Sequence, residues 1–237
     1  MRILSSLSDL VSALTSGGRA TLDSLLETVR SLFSGDREIR RNVAFSVALI
    51  ALSAKMAKAD GIVTSSEIVA FRQILEIPDA ELRNVFRLYD LARQDTAGFE
   101  EYARKLTHLC GDAGCDDTFL GDVLDGLFHI AKADGVVHER ELDVLARIAA
   151  IFGLTEGEFE RTRLRHTRGE ENPYIILGLD PDAGPKEARA RYLTLVRENH
   201  PDSLVARGVP DEFTFIATER MKAINSAYAM IERRAGA

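Results

Sequence analysis

Apolar positions along this chain recur at helical spacing from one end to the other, and no alternating apolar and polar run is long enough to suggest a strand. Ile3, Leu7, Leu10, Val11 and Leu14 form a first short stripe, broken at Gly17-Gly18. A second stripe, Leu22, Leu25, Leu26, Val29 and Phe33, stops at Ser34-Gly35-Asp36, so residues 1–35 read as an amphipathic helical leader. From Asn42 to Ala59 the chain turns densely apolar and small, the pattern of a helix buried on all sides, and Asp60-Gly61 ends it with a left-handed glycine cap. Thr64 and Glu67 form a capping box for a helix through Ile68, Phe71, Ile74 and Leu75 to Pro78. Asp79 then caps a helix with Leu82, Val85, Phe86, Tyr89 and Leu91, and another helix is expected from about Thr96 to Leu109. The expected fold class is all-α.

The pattern then repeats. Ala57-Lys58-Ala59-Asp60-Gly61-Ile62-Val63 returns 74 positions later as Ala131-Lys132-Ala133-Asp134-Gly135-Val136-Val137, and Glu67-Ile68 returns as Glu141-Leu142. A match of this length at constant offset, flanked each time by a buried helix and then an amphipathic one, implies two similar helical hairpins packed as pseudo-symmetric halves. The second half runs through Leu145, Ile148, Ile151 and Phe152 to Gly153, and Thr155 caps a last helix carrying Phe159 and Leu164. The segment Arg161 to Glu171 is poor in apolar residues and reads as a solvated helix end followed by a linker. The domain boundaries expected are therefore 36–166 for the repeat and 172–237 for a C-terminal unit.

That unit opens at Asn172-Pro173 with a short turn of helix holding Tyr174, Ile176 and Leu177, closed by Gly178. Pro185 starts an amphipathic helix that runs to Asn199 and meets His200-Pro201-Asp202. Proline denies the α conformation to the residue before it and removes a backbone donor, so the helix stops there and the tripeptide is expected on a loop. Gly208 and Pro210 follow, then a final helix with an apolar stripe of Met221, Ile224, Tyr228 and Ile231. Two antiparallel helices with the tripeptide at their junction result.

Tyr174-x-x-Leu177-Gly178-Leu179, Tyr192 and Leu195 ahead of His200-Pro201-Asp202, and Ile224-Asn225-x-Ala227-Tyr228 together resemble the J domain of DnaJ-type co-chaperones. The resemblance covers about residues 172–234 and implies that the tripeptide binds a DnaK-type chaperone and stimulates its ATP hydrolysis, so that the hydrolytic site lies on the partner and this chain is not itself an enzyme. Lys186, Arg189 and Arg197 fall on one exposed arc of the preceding helix, which suits docking on an acidic surface; for each cation alone, a solvated helix face is the competing reading. The repeat, over about residues 38–165, resembles the TerB-like helical domain, and the order of TerB-like repeat followed by a C-terminal J domain is that of DjlA-like co-chaperones. That resemblance implies a localising or client-recognising role for the repeat, with the client itself unspecified. Their membrane-spanning N-terminal helix has no counterpart here, since no stretch approaches the roughly 18 apolar residues of a spanning helix.

The repeated Asp-Gly carries a second candidate chemistry. Measured against an EF-hand loop, Asp60 and Glu67, and likewise Asp134 and Glu141, occupy acidic positions, but Met56, Lys58, Ile130 and Lys132 stand where other oxygen ligands belong. Neither loop alone is built for calcium. Two readings stay open: the four carboxylates share one divalent-metal site across the pseudo-symmetry, making the repeat a metal sensor or metal-dependent enzyme, or each Asp ends one helix and each Glu caps the next. No other cofactor is implied.

Charge and composition narrow the picture further. Of 237 residues, 46% are hydrophobic and 28% charged, as in a soluble globular protein. Residues 172–237 carry 9 of the 30 Lys and Arg and 9 of the 37 Asp and Glu, so the whole net charge of −7 sits in residues 1–171. Neither part has the basic balance of a nucleic-acid binder. Cys110 and Cys115, the two cysteines, are too few for a disulfide framework or a zinc site and point to a reducing, cytoplasmic compartment with packed thiols. The leader, with one Arg in its first stripe, is expected to dock on its own protein, peripheral contact with the inner membrane being the alternative. His108, His129, His138 and His166 share no ligand spacing, and His129 on an apolar helix reads as a core or boundary residue.

Overall fold

A computed structural model describes residues 22–32, 37–60, 82–113, 118–167, 172–206 and 214–235. These form α1 (Leu22–Leu32), α2 (Arg37–Asp60), α3 (Leu82–Gln94), α4 (Phe99–Ala113), α5 (Phe119–Ala131), a 3-10 turn (Lys132–Asp134), α6 (Glu139–Ile151), α7 (Glu156–His166), α8 (Pro173–Leu177), α9 (Pro185–Glu198), α10 (Pro201–Ala206) and α11 (Thr214–Ala235). The described residues contain no strand, and the protein is all-α.

The fold is organised around α2, buried without interruption from Val43 to Ala57. Alanines at 44, 48, 51, 54 and 57 keep it slim enough for neighbours on every side, while Phe45, Leu49, Ile50 and Leu52 fill the space between them. It packs against α3, α4, α5 and α6. Leu25 and Val29 of α1 are buried in the same core. Leu25 and Val29, from the second stripe of the expected leader, thus belong to the core of the domain, their helix packing on α2 and α4.

α5 is the counterpart of α2 at the 74-residue offset, and buried from Val123 to Ala131 in the same way. Gly135, which closes the turn after it, has φ +104°, the left-handed cap expected of the repeated Asp-Gly. Gly61, the capping box of Thr64 and Glu67 with the helix after it, and Asp79 lie outside the described residues, as do the first apolar stripe (Ile3 to Leu14), Cys115, and the Gly208 to Pro210 loop.

Three local departures have physical causes. The helix expected from Thr96 begins at Phe99, because Asp95 organises a bend: its carboxylate accepts the Ala97 N–H at 3.3 Å and the Tyr102 hydroxyl at 2.9 Å. The same helix continues through Gly111 to Ala113. Residues 161–166 are no solvated end: Thr162 and Leu164 are buried, and Leu164 enters a second core with Ile176, Leu177, Ala188, Leu195, Ile224, Ala227 and Ile231. Conversely, Leu204, Ile216 and Ala217 of the C-terminal hairpin belong to the first core. The repeat and the hairpin are packed against each other rather than strung on a linker.

The Thr155 cap, the start at Pro185 and the stop at Gly178 form as the sequence predicts, and the structure adds the partner of Thr155 and a cap at Asn172. Thr155 Oγ1 accepts the Glu158 N–H while the Glu158 carboxylate takes the Thr155 N–H at 2.7 Å; Asn172 Oδ1 accepts the Tyr174 N–H at 3.1 Å; Pro173 and Pro185 stand in first turns; and Gly178, at φ +68°, ends α8.

Candidate functional site

α9 is held by its inner face, with Ala188 and Leu195 buried and Tyr192 stacked on Tyr228 of α11 at 4.2 Å between ring centroids. The Tyr192 hydroxyl also donates to Asn225 Oδ1 at 3.0 Å. This fixes which face of α9 points outward. Lys186, Arg189 and Arg197 are exposed there, and none forms an ion pair among the described residues. Leu193, one turn from both Arg189 and Arg197, is 45% exposed, so the cationic arc has an apolar centre.

The tripeptide is not a plain loop. Pro201 is the first residue of α10, a six-residue helix, and His200 stands at its cap with its carbonyl accepting the N–H groups of Ser203 (2.9 Å) and Leu204 (3.2 Å). A proline that blocks α9 from continuing is well suited to begin the next helix, since its missing N–H would be unpaired there anyway. Ser203 Oγ donates to the Arg197 carbonyl at 2.8 Å, and Leu204 is buried, so the turn is closed from both ends. The Asp202 N–H donates to His200 Nδ1 at 3.3 Å. His200 Nδ1 also lies 3.5 Å from Asp202 Oδ2, so an exposed imidazole and a carboxylate 92% accessible stand side by side. Such a pair can grip a partner, and it resembles no arrangement for covalent or hydrolytic catalysis.

Behind this surface lies a buried polar cluster with no place in the sequence expectations. Arg220 of α11 donates from Nη1 to Asp122 Oδ1 at 2.7 Å and to Asn199 Oδ1 at 3.1 Å, and from Nε to Asp125 Oδ2 at 3.0 Å. Arg165 and His166, at the end of α7, both reach Asp125 Oδ1 at 3.0 Å. Burial opposes ionisation of Asp125, yet Arg220, then Arg165, hold it ionised well below the usual carboxylate range; the same carboxylates raise Arg220 against its own burial. Burial also depresses the pKa of His166, against the opposing pull of Asp125. Two carboxylates and two guanidiniums balance one another. A cleft of about 390 Å³ opens beside them, lined by Lys132, Arg165, His166, Glu219, Arg220 and Lys222 among others.

One signal in the sequence did mark these residues. At the repeat offset Asp122 and Asp125 stand opposite Ala48 and Ala51, so two carboxylates replace two buried alanines on an otherwise apolar helix. Buried carboxylates demand cations.

Of the four acidic residues singled out in the repeat, Glu141 has a described side chain. Glu141, buried on α6, accepts the His138 N–H at 2.8 Å and so caps its own helix. Asp60 ends α2 and Asp134 ends the 3-10 turn, their side chains lying outside the described residues together with Glu67. Among the described residues no group of three His, Cys, Asp or Glu side chains is placed to share a metal ion. No helix among them is long and apolar enough to cross a membrane.

Comparison with known proteins agrees with this architecture. Residues 46–164 match the family model described as tellurite resistance protein TerB. The chain is 27% identical over 237 residues to a co-chaperone protein DjlA of Aliivibrio fischeri, covering 85% of this chain and 82% of the relative. It is 28% identical over 200 residues to a protein of the same name from Coxiella burnetii, covering 75% and 73%. A Vibrio vulnificus relative, again named co-chaperone protein DjlA, is 32% identical over 139 residues, 45% of this chain and 48% of the relative. No solved structure gives a significant match. The chain belongs to the TerB family, as a DjlA-like TerB-domain protein.

Proposed function

We propose that this protein is a co-chaperone that binds a DnaK-type chaperone through His200-Pro201-Asp202 and stimulates its ATP hydrolysis, while the TerB-like repeat selects where or on which client this happens. The reading is carried by the pairing of the exposed His200 imidazole with the exposed Asp202 carboxylate at the start of α10. The exposed arc of Lys186, Arg189 and Arg197 beside it suits an acidic partner surface, for which charge complementarity sets encounter rate and register. The names of the DjlA relatives point the same way. In this reading ATP is cleaved on the partner, and the chain supplies contacts rather than catalytic groups.

Single-turnover ATP hydrolysis by the organism's own DnaK-type chaperone tests it. The wild-type chain should accelerate turnover, and His200→Gln should abolish the acceleration while leaving the helical circular-dichroism signal unchanged. Persistence of stimulation in that variant would sink the proposal.

A further inference from the structure

We propose that Arg220 is a positioning residue for the His-Pro-Asp segment, through which the TerB-like repeat acts as a fixed brace for the effector end of the hairpin. The proposal rests on the co-chaperone reading above. Asn199 immediately precedes the tripeptide, and its two amide atoms are used in two directions: Nδ2 donates to the Leu195 carbonyl at 2.7 Å, closing the end of α9, while Oδ1 accepts from Arg220 at 3.1 Å. The same guanidinium is fixed by Asp122 and Asp125 on α5 of the repeat. Two residues beyond the tripeptide, Leu204 is buried in the repeat's core. His200, Pro201 and Asp202 are therefore held from both sides by the other domain, through a polar link before them and an apolar one after.

The composition of the link favours orientation over stability. A buried ion pair roughly breaks even against an apolar replacement, because desolvation offsets the attraction, whereas its directional bonds fix one arrangement among several. Ile216, Ala217 and the Phe215 ring, which meets His129 edge-on at 4.7 Å, already supply apolar contact between hairpin and repeat. Arg220 adds the register. Bracing differs from masking in a visible way: docking leaves His200 57% and Asp202 92% exposed, so the repeat holds the segment without covering it.

Two variants at one position separate the link from its surroundings. Asn199→Ala and Asn199→Asp both lose the donor to Leu195, but the aspartate keeps an oxygen facing Arg220. In the full chain, with folding verified by circular dichroism, Asn199→Ala should raise the concentration that half-saturates stimulation of the partner's ATPase by about tenfold, equivalent to ~1.4 kcal/mol. The maximal stimulated rate should stay within about twofold, and Asn199→Asp should recover most of the loss. An equal effect in both variants, no effect in either, or tighter half-saturation would overturn the brace. If the wild-type chain gives no stimulation, the co-chaperone reading fails instead, and a second measurement still decides the link. Asp122→Asn should shift the backbone amide resonances of His200, Asp202 and Ser203, and unmoved resonances would overturn it.

Discussion

Phe45 and Phe119 hold the same place in the two repeats, 74 positions apart, and their rings meet edge to face with centroids 5.5 Å apart at 88°. Both are fully buried. Replacing either with Ala should destabilise the fold by about 3–5 kcal/mol, and the double variant should cost about 0.5–1.5 kcal/mol less than the sum of the two, because each single variant already loses the ring contact. Urea unfolding of the four proteins of the cycle measures this, and strict additivity would mean that the ring contact contributes nothing of its own.

Two glycines on α5 should respond to Ala in opposite directions. A Cβ on Gly126 would stand 2.9 Å from Leu49 Cδ1 and 3.1 Å from Ile216 Cδ1, so this glycine lets both α2 and the start of α11 approach. Gly121→Ala, with nothing within 4 Å of the new atom, should stabilise by about 0.5–1 kcal/mol through helix propensity. Gly126→Ala should instead cost about 1–3 kcal/mol, since displacing two core side chains outweighs that gain. Thermal unfolding of the two variants distinguishes them directly.

The all-helical course of the chain, the Thr155 cap and both helices of the hairpin were legible because each leaves a local signature: apolar spacing, Thr155 ahead of its helix, Pro185 in a first turn, Gly178 after a last one. What was not legible depended on contact between segments far apart in the chain. Leu164 is an isolated leucine among Arg161, Arg163 and Arg165, and only the approach of α8 and α11 makes it a core residue. Arg220 lies in a helix whose apolar stripe had already been assigned, and nothing near it in sequence shows that Asp122 and Asp125, roughly a hundred residues away, turn their carboxylates toward it. Helix α10 was missed for a simpler reason. Six residues carry too little periodicity to read, and the buried Leu204 that anchors them is a single position.

His129 gives the fold a specific acid sensitivity. Burial, then the nearby Lys132 and His166, depress its pKa from 6.5 to about 4, against weaker opposing effects of Asp125 and Glu219. The unfolded chain therefore binds a proton that the folded chain refuses between those values, and stability falls as pH drops from 6.5 toward 4. The full effect is on the order of 3 kcal/mol at the acid end of that window and absent above it. His166, depressed for the same reason, adds to the loss. Urea midpoints measured across this range should decline more steeply for the wild type than for His129→Asn, and parallel curves would exclude His129 as the cause.

The cationic arc predicts a salt dependence that separates its role from that of His200. Lys186, Arg189 and Arg197 are exposed, and at physiological ionic strength charges farther apart than about 8 Å are largely screened, so there they contribute by close pairing once docked, and long-range attraction during encounter adds to this only at low salt. Arg189→Glu and Arg197→Glu should each raise the half-saturating concentration for ATPase stimulation about 3- to 10-fold at low salt, with the gap to wild type narrowing as salt is added. The maximal rate should survive in both, because neither charge is placed to act on the hydrolytic step. Leu193→Ala, removing the apolar centre of the same arc, should weaken half-saturation to a degree that salt does not change. If the two charge reversals proved insensitive to salt, this face of α9 would be a solvated surface and the partner would dock elsewhere.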